Sequence, residues 1–345
     1  MTATPEMAPQ QLPPDAQLLS IVTSAWVSAA VYVTAKLGIA DLLADGPKTA
    51  EYLAVATATD ERSLYRTLRA VTSTGVFTEV QDRKFENTPM SDTMRTDHPA
   101  SIRDLVIWVN EPEHWKVYGE LMHSVKTGKP AWDKYHGEPV FTYLFKTNPE
   151  LGAIFNRAMT SLSHQASGPL LEVYDFSKAG VIADIAGGLG HLLGAVLEQN
   201  PNARGILFDL PQVLEGAPEM LAKYGVHDRV QMVSGNFMSD VPVAADIYLL
   251  KHIIHDWYDG TNQVILGNIR KHMPENAKVL IIETVVPDGN DPHFSKIIDI
   301  EMLAAPGGME RTAAEFETLL KDSGFRLARI IPTCGPMSII EAEKA

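Results

Sequence analysis

Small and acidic residues in the second half of the chain have the types and spacing of a ligand site. The stretch DIAGGLG at residues 184–190 follows an apolar run of strand length, and Asp209 ends the next such run. Small residues let the backbone approach a ligand closely, and an acid one strand further on can accept hydrogen bonds from both ribose hydroxyls. This order of residues indicates a site for a nucleotide-like ligand.

A second group of residues has acid–base chemistry. His255 lies in HDW after an apolar run, and Glu283 lies inside another apolar run. A buried carboxylate is costly without a partner, so we expect His255 to be the partner of Glu283. Glu310, in GGMERT, is open to two interpretations, an exposed residue or an ion-pair partner of Arg311. His252 and His255 also permit a paired metal-ligand reading, although no third ligand stands at a familiar spacing.

From residue 180 onward, the elements that must position these residues alternate between strands and helices. The last two strand-like runs are separated by only a few residues around Cys334. Because a parallel crossover needs about a dozen residues or more, these two strands should pair antiparallel. We predict an α/β domain with a seven-stranded, doubly wound sheet whose last strand is antiparallel. The seven runs are VIADIA, RGILFDL, RVQMVSG, ADIYLLKHI, KVLIIETVV, FRLARIIPT and MSIIEAEK.

The first half of the chain is predicted to be mostly helical. Residues 49–94 give two short helices and then a strand pair that turns at QDRK, which is a winged-helix-like pattern. Such units commonly bind DNA, but acids offset the arginines here, and the formal net charge of −14 disfavours a nucleic-acid partner. We interpret the unit as a dimerisation scaffold. The predicted domains are 1–165, for dimerisation and part of a substrate pocket, and 166–345, for the nucleotide-like ligand.

An uncharged apolar stretch runs from Ala16 to Tyr32. Gln17 and several hydroxyl residues interrupt it, so a helix buried against a second subunit is a better interpretation than a membrane span. The first 15 residues lack the basic start and apolar core of a signal peptide, and the single cysteine cannot form an internal disulfide. We expect a cytoplasmic homodimer that binds neither membrane nor nucleic acid.

The glycine stretch departs from the dinucleotide-binding pattern, because Leu193 stands where a third glycine is expected. With Asp184 included, DIAGGLG fits the acid-x-Gly-x-Gly-x-Gly pattern of S-adenosylmethionine-dependent methyltransferases, except at Ala186. Seven ordered landmarks resemble the plant caffeic acid and bacterial polyketide and antibiotic O-methyltransferases over nearly the whole chain. They are FNRAM (155–159), DIAGGLG, FDLPQV (208–213), SGNF (234–237), LLKHIIHDW (249–257), IIETVVP and GGMERT (307–312).

This resemblance implies S-adenosylmethionine as cofactor and S-adenosylhomocysteine as product. The glycine loop would border the cofactor, and Asp209 would bind its ribose. Asn236, where the family usually has Asp, would contact the adenine, on which Phe237 and Trp257 would pack. The full implied cofactor set is Asp184, Gly187, Gly188, Asp209, Leu210, Asn236, Phe237, Lys251, Trp257 and Ser163.

The resemblance also implies a catalytic set, in which His255 is the general base and Glu283 and Glu310 flank it. The base takes a proton from a hydroxyl whose oxygen attacks the methyl group, and no metal is needed. For Asp256 we expect a capping or orienting role in its own turn. Aromatic residues between 101 and 165 favour a small aromatic acceptor. The implied substrate-binding residues are Asn110, Phe155, Asn156, Met159 and Met302.

Two rival functions stay open. Some proteins with this fold bind the cofactor without methylating, as decarboxylases, hydroxylases or pericyclases, and a winged-helix dimer can also be a ligand-sensing regulator. The complete set of His255, Glu283 and Glu310 favours methyl transfer over the first rival. The acidic balance of the chain disfavours the second.

Overall fold

The chain folds as two compact units, which meet in sequence between Glu111 and Pro112. The structure, a computed structural model, describes residues 12–345, so the N-terminal stretch that argues against a signal peptide lies largely outside the described residues. The helices between residues 112 and 165 group with the second unit, although the boundary predicted from the sequence is at 165/166. They do so because helices at 121–127 and 131–136 pack on the helix at 294–304.

The first unit is mostly helical. Its elements are α1 (Pro14–Lys36), α2 (Ile39–Leu42), β1 (Lys48–Thr49), α3 (Ala50–Thr57), α4 (Glu61–Thr72), β2 (Phe77–Glu79), β3 (Lys84–Asn87), α5 (Pro89–Asp92) and α6 (Arg103–Asn110). The Thr49 side chain caps α3 and that of Asp60 caps α4, each by accepting a backbone N–H of the first turn. The predicted helix pair and strand pair are therefore confirmed, and β1 extends the strand pair to the order β1-β3-β2.

Helix α1 exposes an unusual amount of apolar surface. Leu18, Ile21, Val22 and Trp26 all lie on its exposed side, and Trp26 is 75% exposed. Within residues 12–345, it is the single helix long and apolar enough to span a membrane by length and composition, a test that leader and soluble helices also pass. The predicted apolar helix is present, and its surface is available for burial.

The second unit contains the remaining helices and the large sheet. Its helices are α7 (Pro112–Trp115), α8 (Leu121–Thr127), α9 (Ala131–His136), α10 (Val140–Thr142), α11 (Pro149–Val173), α12 (His191–Gln199), α13 (Pro211–Leu214), α14 (Ala217–Lys223), α15 (Asp259–His272), α16 (Phe294–Ala304) and α17 (Ala313–Asp322). Its strands are β4 (Val181–Ile185), β5 (Arg204–Asp209), β6 (Val230–Ser234), β7 (Ile247–Lys251), β8 (Lys278–Thr284), β9 (Phe325–Pro332) and β10 (Met337–Lys344).

The seven predicted strands form one sheet in the order β6-β5-β4-β7-β8-β10-β9. Strands β4 to β8 are parallel, and β10 is antiparallel to both β8 and β9, so the prediction of a reversed last strand is confirmed. The short link between β9 and β10 forces them to pair as a hairpin. Two apolar clusters cover the two faces of the sheet. The carboxyl ends of β4, β5, β7 and β8 consequently share one edge, where polar residues can converge.

Candidate functional site

The glycine loop, residues 184–190, leaves the carboxyl end of β4 and enters α12. Gly188 and Gly190 have φ values of 62° and 79°, a left-handed conformation that glycine adopts without strain. Gly187 lies so close to Asp184 that an added Cβ would stand 2.5 Å from its carboxyl carbon. The loop therefore presents bare backbone at the start of a helix, as a nucleotide-like ligand requires.

Ala186 shares the left-handed conformation, with a φ of 54°. An L-residue with a Cβ is strained there by roughly 1–2 kcal/mol. This strain is the physical reason for the glycine that the motif has at this position. The loop keeps the left-handed turn despite the substitution, and the N–H of Ala186 donates to the carbonyl oxygen of Phe208 at 2.7 Å.

Asp209 stands at the end of β5, beside the glycine loop. Its Oδ2 accepts the N–H of Gly188 at 2.8 Å, and its Oδ1 accepts the N–H of Leu210 at 2.6 Å. Burial raises the pKa of Asp209 to about 6, against the opposite effect of these two hydrogen bonds. Each carboxylate oxygen retains a lone pair, so the side chain can still accept two ligand hydroxyls.

A buried acid, Asp184, begins the loop, and a half-buried base, Lys251, ends the neighbouring strand β7. Burial raises the pKa of Asp184 to about 7 and lowers that of Lys251 to about 8, while each group opposes the other's shift. The Oδ2 of Asp184 is buried and has no hydrogen-bond partner. An orphaned acceptor beside a bare backbone turn is consistent with a ligand that carries a donor or a positive charge.

Aromatic rings connect the two halves of the site. Phe237 and Trp257 lie edge to face at 6.3 Å between ring centroids, and the ring centroid of Phe141 lies 5.8 Å from that of Trp257. Phe155 lies 6.2 Å from Phe141. The aromatic residues predicted for the cofactor side and for the acceptor side are thus linked by successive ring contacts. Asn236 is exposed, and its Oδ1 accepts the N–H of Met238 at 2.9 Å, which fixes the turn after β6.

His255 lies 5% exposed in a 3₁₀ turn that follows β7. Its Nδ1 is 2.7 Å from Oε1 of Glu310, and the other oxygen of Glu310 accepts the hydroxyl of Thr284 at 2.5 Å. Because a carboxylate only accepts hydrogen bonds, Nδ1 carries the hydrogen and Nε2 is the nitrogen available to a proton donor. Glu310 is 3% exposed, so the interpretation of an exposed residue is wrong.

Arg311 has a different partner from the one considered for it. Its Nη2 lies 2.7 Å from Oδ1 of Asp259, and its guanidinium also donates to the carbonyl oxygens of Ile254 and Trp257. The interpretation of Glu310 as the ion-pair partner of Arg311 is therefore wrong. The buried guanidinium instead fastens the 3₁₀ turn that carries His255.

Glu283 is fully buried in β8, as the apolar run around it in the sequence predicts. Its Oε1 accepts the backbone N–H of His255 at 3.0 Å, so it holds the turn rather than the imidazole ring. Burial raises the pKa of Glu283 to about 7. We call His255, Glu283 and Glu310 the base cluster, because the structure brings all three together.

Asp256 is the acid nearest to the free nitrogen. Its Oδ1 lies 3.6 Å from Nε2 of His255, so it does more than orient its own turn. Burial raises the pKa of Asp256 to about 6. Burial alone would lower the pKa of His255, but Asp256, Glu310 and Glu283 outweigh it and raise that pKa to about 9.

The segment of Gly308 and Met309 packs directly against the backbone of His255 and so holds the base cluster in place; we call this contact the clamp. The N–H of Met309 donates to the carbonyl oxygen of His255 at 2.9 Å. A Cβ added to Gly308 would stand 1.8 Å from the same oxygen, so only glycine permits this approach. Asp299 on α16 accepts the N–H of Glu310 at 2.7 Å. These contacts fix the position of the Glu310 carboxylate relative to the imidazole.

The other predicted residues are placed as follows. Ser163 lies on α11 and its hydroxyl donates to the carbonyl oxygen of Met159 at 2.9 Å. Phe155 and Met159 are half-buried on the same helix, Asn156 is exposed there, and Met302 is buried on α16. Asn110 belongs to the first unit, where its Oδ1 accepts the hydroxyl of Ser28 at 2.9 Å. Their roles toward ligands stay predictions.

Sequence reasoning missed a second acid near the base cluster. Glu301 on α16 is paired with His114, at 2.8 Å between Oε1 and Nε2, and accepts the hydroxyl of Tyr118. An acid inside the apolar run IIDIEMLAA was the available signal, and it is the same signal that marked Glu283. Among residues 12–345, no group of three or more His, Cys, Asp or Glu side chains is arranged to hold a metal ion.

Comparison with known proteins gives two family matches. A model described as an O-methyltransferase domain matches residues 118–326, and one described as an O-methyltransferase dimerisation domain matches residues 19–97. A phenazine O-methyltransferase from Lysobacter antibioticus is 43% identical over 94% of this chain and 95% of its own length.

Two further similarities bear on the chemistry. An 8-amino-8-demethylriboflavin N,N-dimethyltransferase from Streptomyces davaonensis is 35% identical, over 91% of each chain. The crystal structure of CalO1, a methyltransferase in calicheamicin biosynthesis with S-adenosylhomocysteine bound, has a TM-score of 0.85 and 34% identity, and covers 97% of this chain and 100% of its own. The similar proteins thus include methyltransferases that act on oxygen and on nitrogen.

Proposed function

Because the chain belongs to the O-methyltransferase family, we propose that it transfers the methyl group of S-adenosylmethionine to a hydroxyl of a small aromatic acceptor, with His255 as the general base. Methyl transfer and the use of this cofactor follow from the family. The observation that carries the finer proposal is the buried hydrogen bond between Nδ1 of His255 and Glu310, which leaves Nε2 free for the acceptor hydroxyl.

The residues of the glycine loop fit the cofactor. The orphaned Oδ2 of Asp184 and the bare backbone at Gly187 and Gly188 suit a ligand with a positively charged amino-acid end. Asp209 would hold the ribose hydroxyls, and Phe237 and Trp257 would pack against the adenine. When bound, S-adenosylmethionine supplies an electrophilic methyl group on a positively charged sulfur.

The base cluster has the task of removing the acceptor proton. Nε2 of His255 accepts it, and Glu310 stabilises the imidazolium that forms. Glu283 keeps the backbone of His255 in place through the N–H contact at 3.0 Å. Positioning the acceptor oxygen in line with the methyl group supplies much of the rate, since it replaces an encounter by an oriented step.

The pKa of His255 supports a hydroxyl acceptor. A phenol of pKa about 10 facing an ordinary histidine of about 6.5 gives up its proton uphill by roughly 4.8 kcal/mol. With the His255 pKa raised to about 9, the difference falls to about 1 unit, or roughly 1.4 kcal/mol. A neutral aromatic amine attacks through its lone pair and has less need of so strong a base before the attack.

Purified protein with labelled S-adenosylmethionine and a panel of phenols, hydroxyquinones, hydroxyphenazines and matched aromatic amines tests the proposal. We expect O-methyl ethers, formed equally well with and without EDTA. If only N-methyl products form, the acceptor atom is nitrogen and the assignment of a hydroxyl acceptor is wrong. If activity is lost in EDTA and restored by magnesium, the proposal of a general base that acts without a metal is wrong. Cofactor binding without methylated product would favour a non-methylating function.

We also propose that the chain is a cytoplasmic homodimer. The match to a dimerisation domain at residues 19–97 and the exposed apolar residues of α1 support dimer formation. Light scattering at micromolar concentration should give twice the chain mass of 37.8 kDa. A stable monomer with full activity would contradict the dimer.

A further inference from the structure

Glu301 is a half-buried carboxylate that the proposed mechanism does not use. It stands in α16 between Ile300 and Met302, and only 21% of its side chain is exposed. His114 lies at 2.8 Å from one oxygen, and the hydroxyl of Tyr118 donates to the other. Such a group is costly to bury, so its retention in an apolar helix requires an explanation.

The surroundings keep Glu301 ionised. Burial alone raises its pKa, but His114 and Tyr118 outweigh burial and hold the pKa below its usual value. The rings of His114 and Tyr118 lie 5.6 Å apart, and His114 also lies 5.9 Å from the fully buried Trp132. A carboxylate so fixed by two partners is preorganised, and its oxygens retain lone pairs for a third donor.

The position of Glu301 relates it to the acceptor. The chain that follows α16 turns through Gly308 and Met309 directly onto the backbone of His255. Burial raises the pKa of Asp256 to about 6, and the negative charge of Glu301 contributes to this increase. Asp299, two residues before Glu301 on α16, accepts the N–H of Glu310 at 2.7 Å, so this part of the helix lies beside the base cluster.

An apolar surface leads to this carboxylate. Phe294, Ile297 and Ile300 are 53%, 70% and 40% exposed. At helical spacing, Phe294 and Ile297 lie on the same side of α16 as Glu301, and Ile300 lies next to Ile297 one turn further on. A flat aromatic ring resting on these side chains would have one polar edge near Glu301.

We propose that Glu301 determines acceptor specificity: its carboxylate accepts a hydrogen bond from a donor group on the aromatic acceptor, and it discriminates against acceptors that carry a carboxylate near the reacting hydroxyl. The inference rests on the proposed function, since it concerns the acceptor of the same site. The donor is a second hydroxyl, an amino group or a protonated ring nitrogen.

The charge balance supports this discrimination. Five carboxylates, those of Asp256, Glu283, Asp299, Glu301 and Glu310, lie in or beside the base cluster, against at most two cationic imidazoles, His114 and His255. The guanidinium of Arg311 is already bound to Asp259 at 2.7 Å. A further negative charge on the acceptor would meet like charges in a buried place, which disfavours such a partner.

The test uses three matched pairs of acceptors, each a neutral ring and its carboxylated counterpart: catechol and 2,3-dihydroxybenzoate, a naphthol and a hydroxynaphthoate, a hydroxyphenazine and its carboxylate. Calorimetry measures their binding to the protein saturated with S-adenosylhomocysteine, and kcat/KM is measured in parallel. Glu301→Gln keeps size and hydrogen bonding but removes the charge. Glu317→Gln, at an exposed position of α17, is the matched control.

In the unaltered protein, at least one neutral member should bind 10-fold or more tightly than its carboxylate. Glu301→Gln should reduce that preference to about 3-fold or less, chiefly by better binding of the carboxylate, and Glu317→Gln should preserve it. If no neutral member binds more tightly, or if the preference survives in Glu301→Gln, the proposal is wrong.

Two further readouts separate this proposal from its premises. Binding preference that disappears in Glu301→Gln without any methylated product would uphold the specificity role and reject the proposed methyl transfer. Tyr118→Phe retains the charge and removes one donor, so it should leave the preference intact while changing the melting temperature. If Tyr118→Phe abolishes the preference as fully as Glu301→Gln, packing rather than charge is responsible and the proposal fails.

Discussion

The glycine loop and the base cluster share one sheet edge, but they are built from different parts of the chain. In the loop, backbone N–H groups and left-handed turns at Gly188 and Gly190 do the positioning. In the base cluster, side chains hold one another, through Glu310 and Thr284, or grip a backbone N–H, as Glu283 does.

This difference predicts how each region responds to substitution. A backbone-built site tolerates a changed side chain as long as the turn survives, which is how Ala186 can stand at a glycine position. A side-chain network in a buried place loses far more when one member is removed, since the remaining groups stay buried without partners. The base cluster should therefore give the largest effects on turnover.

The largest expected effect comes from His255→Gln. Glutamine retains approximate size and hydrogen bonding but cannot accept the proton, so turnover should fall roughly 10²–10⁴-fold. Calorimetry should show unchanged affinity for S-adenosylhomocysteine. His227→Gln, at a histidine that is 56% exposed, is the control and should be fully active. Near-normal turnover in His255→Gln would reject this histidine as the base.

Gly308→Ala should follow in size, although position 308 carries no chemical group. Its Cβ would stand 1.8 Å from the carbonyl oxygen of His255, so the segment that carries Glu310 must move. We expect roughly a 10²-fold loss of kcat/KM from this displacement. Gly267→Ala in α15, with no heavy atom within 4 Å of the added Cβ, should keep activity. Equal activity of the two variants would contradict the clamp.

On the cofactor side, Asp209→Ala removes a carboxylate that would accept the ribose hydroxyls. Its loss should weaken S-adenosylhomocysteine binding by roughly 1.5–3 kcal/mol per charged hydrogen bond. Asp228→Ala, at an aspartate that is 87% exposed, serves as control in the same calorimetry. Unchanged affinity in Asp209→Ala would refute the ribose assignment, as would tighter binding of NAD than of S-adenosylhomocysteine by the unaltered protein.

Ala186→Gly should give the smallest effect, and one of opposite sign. It removes the strain of a φ of 54°. Relief of roughly 1–2 kcal/mol, less roughly 0.4–1 for the freer unfolded chain, should raise the free energy of unfolding by up to about 1.6 kcal/mol. Ala195→Gly inside α12 should lower it by about 1 kcal/mol. If denaturant melts show both variants destabilised alike, the strain argument is wrong.

Local patterns in the sequence were sufficient for much of the fold. Apolar runs of strand length predicted all seven strands, and the short link at Cys334 predicted the antiparallel pair. Both features depend on residues that are close together in the sequence. The insertion of β10 between β8 and β9 depends on packing across the sheet, and no local pattern shows it.

The site divides in the same way. Motifs located His255, Glu310 and the glycine loop. They did not predict which atoms of these residues form hydrogen bonds with each other. The sequence paired Glu283 with His255 without showing that the contact is to the backbone N–H. Glu301 meets Tyr118 across 183 positions of sequence, a separation that no motif spans.

The pH dependence of kcat/KM in the unaltered protein and in Glu310→Gln tests the central claim most directly. The imidazole must be free of its proton to act, so activity should rise with pH, with an inflection near the His255 pKa of about 9. Removing the Glu310 carboxylate should move that inflection down by roughly 1 unit or more, while the ionisation of the acceptor stays where it is. A profile that is flat from pH 6 to 10, or one with the same inflection in both proteins, would contradict a base whose pKa Glu310 helps to raise.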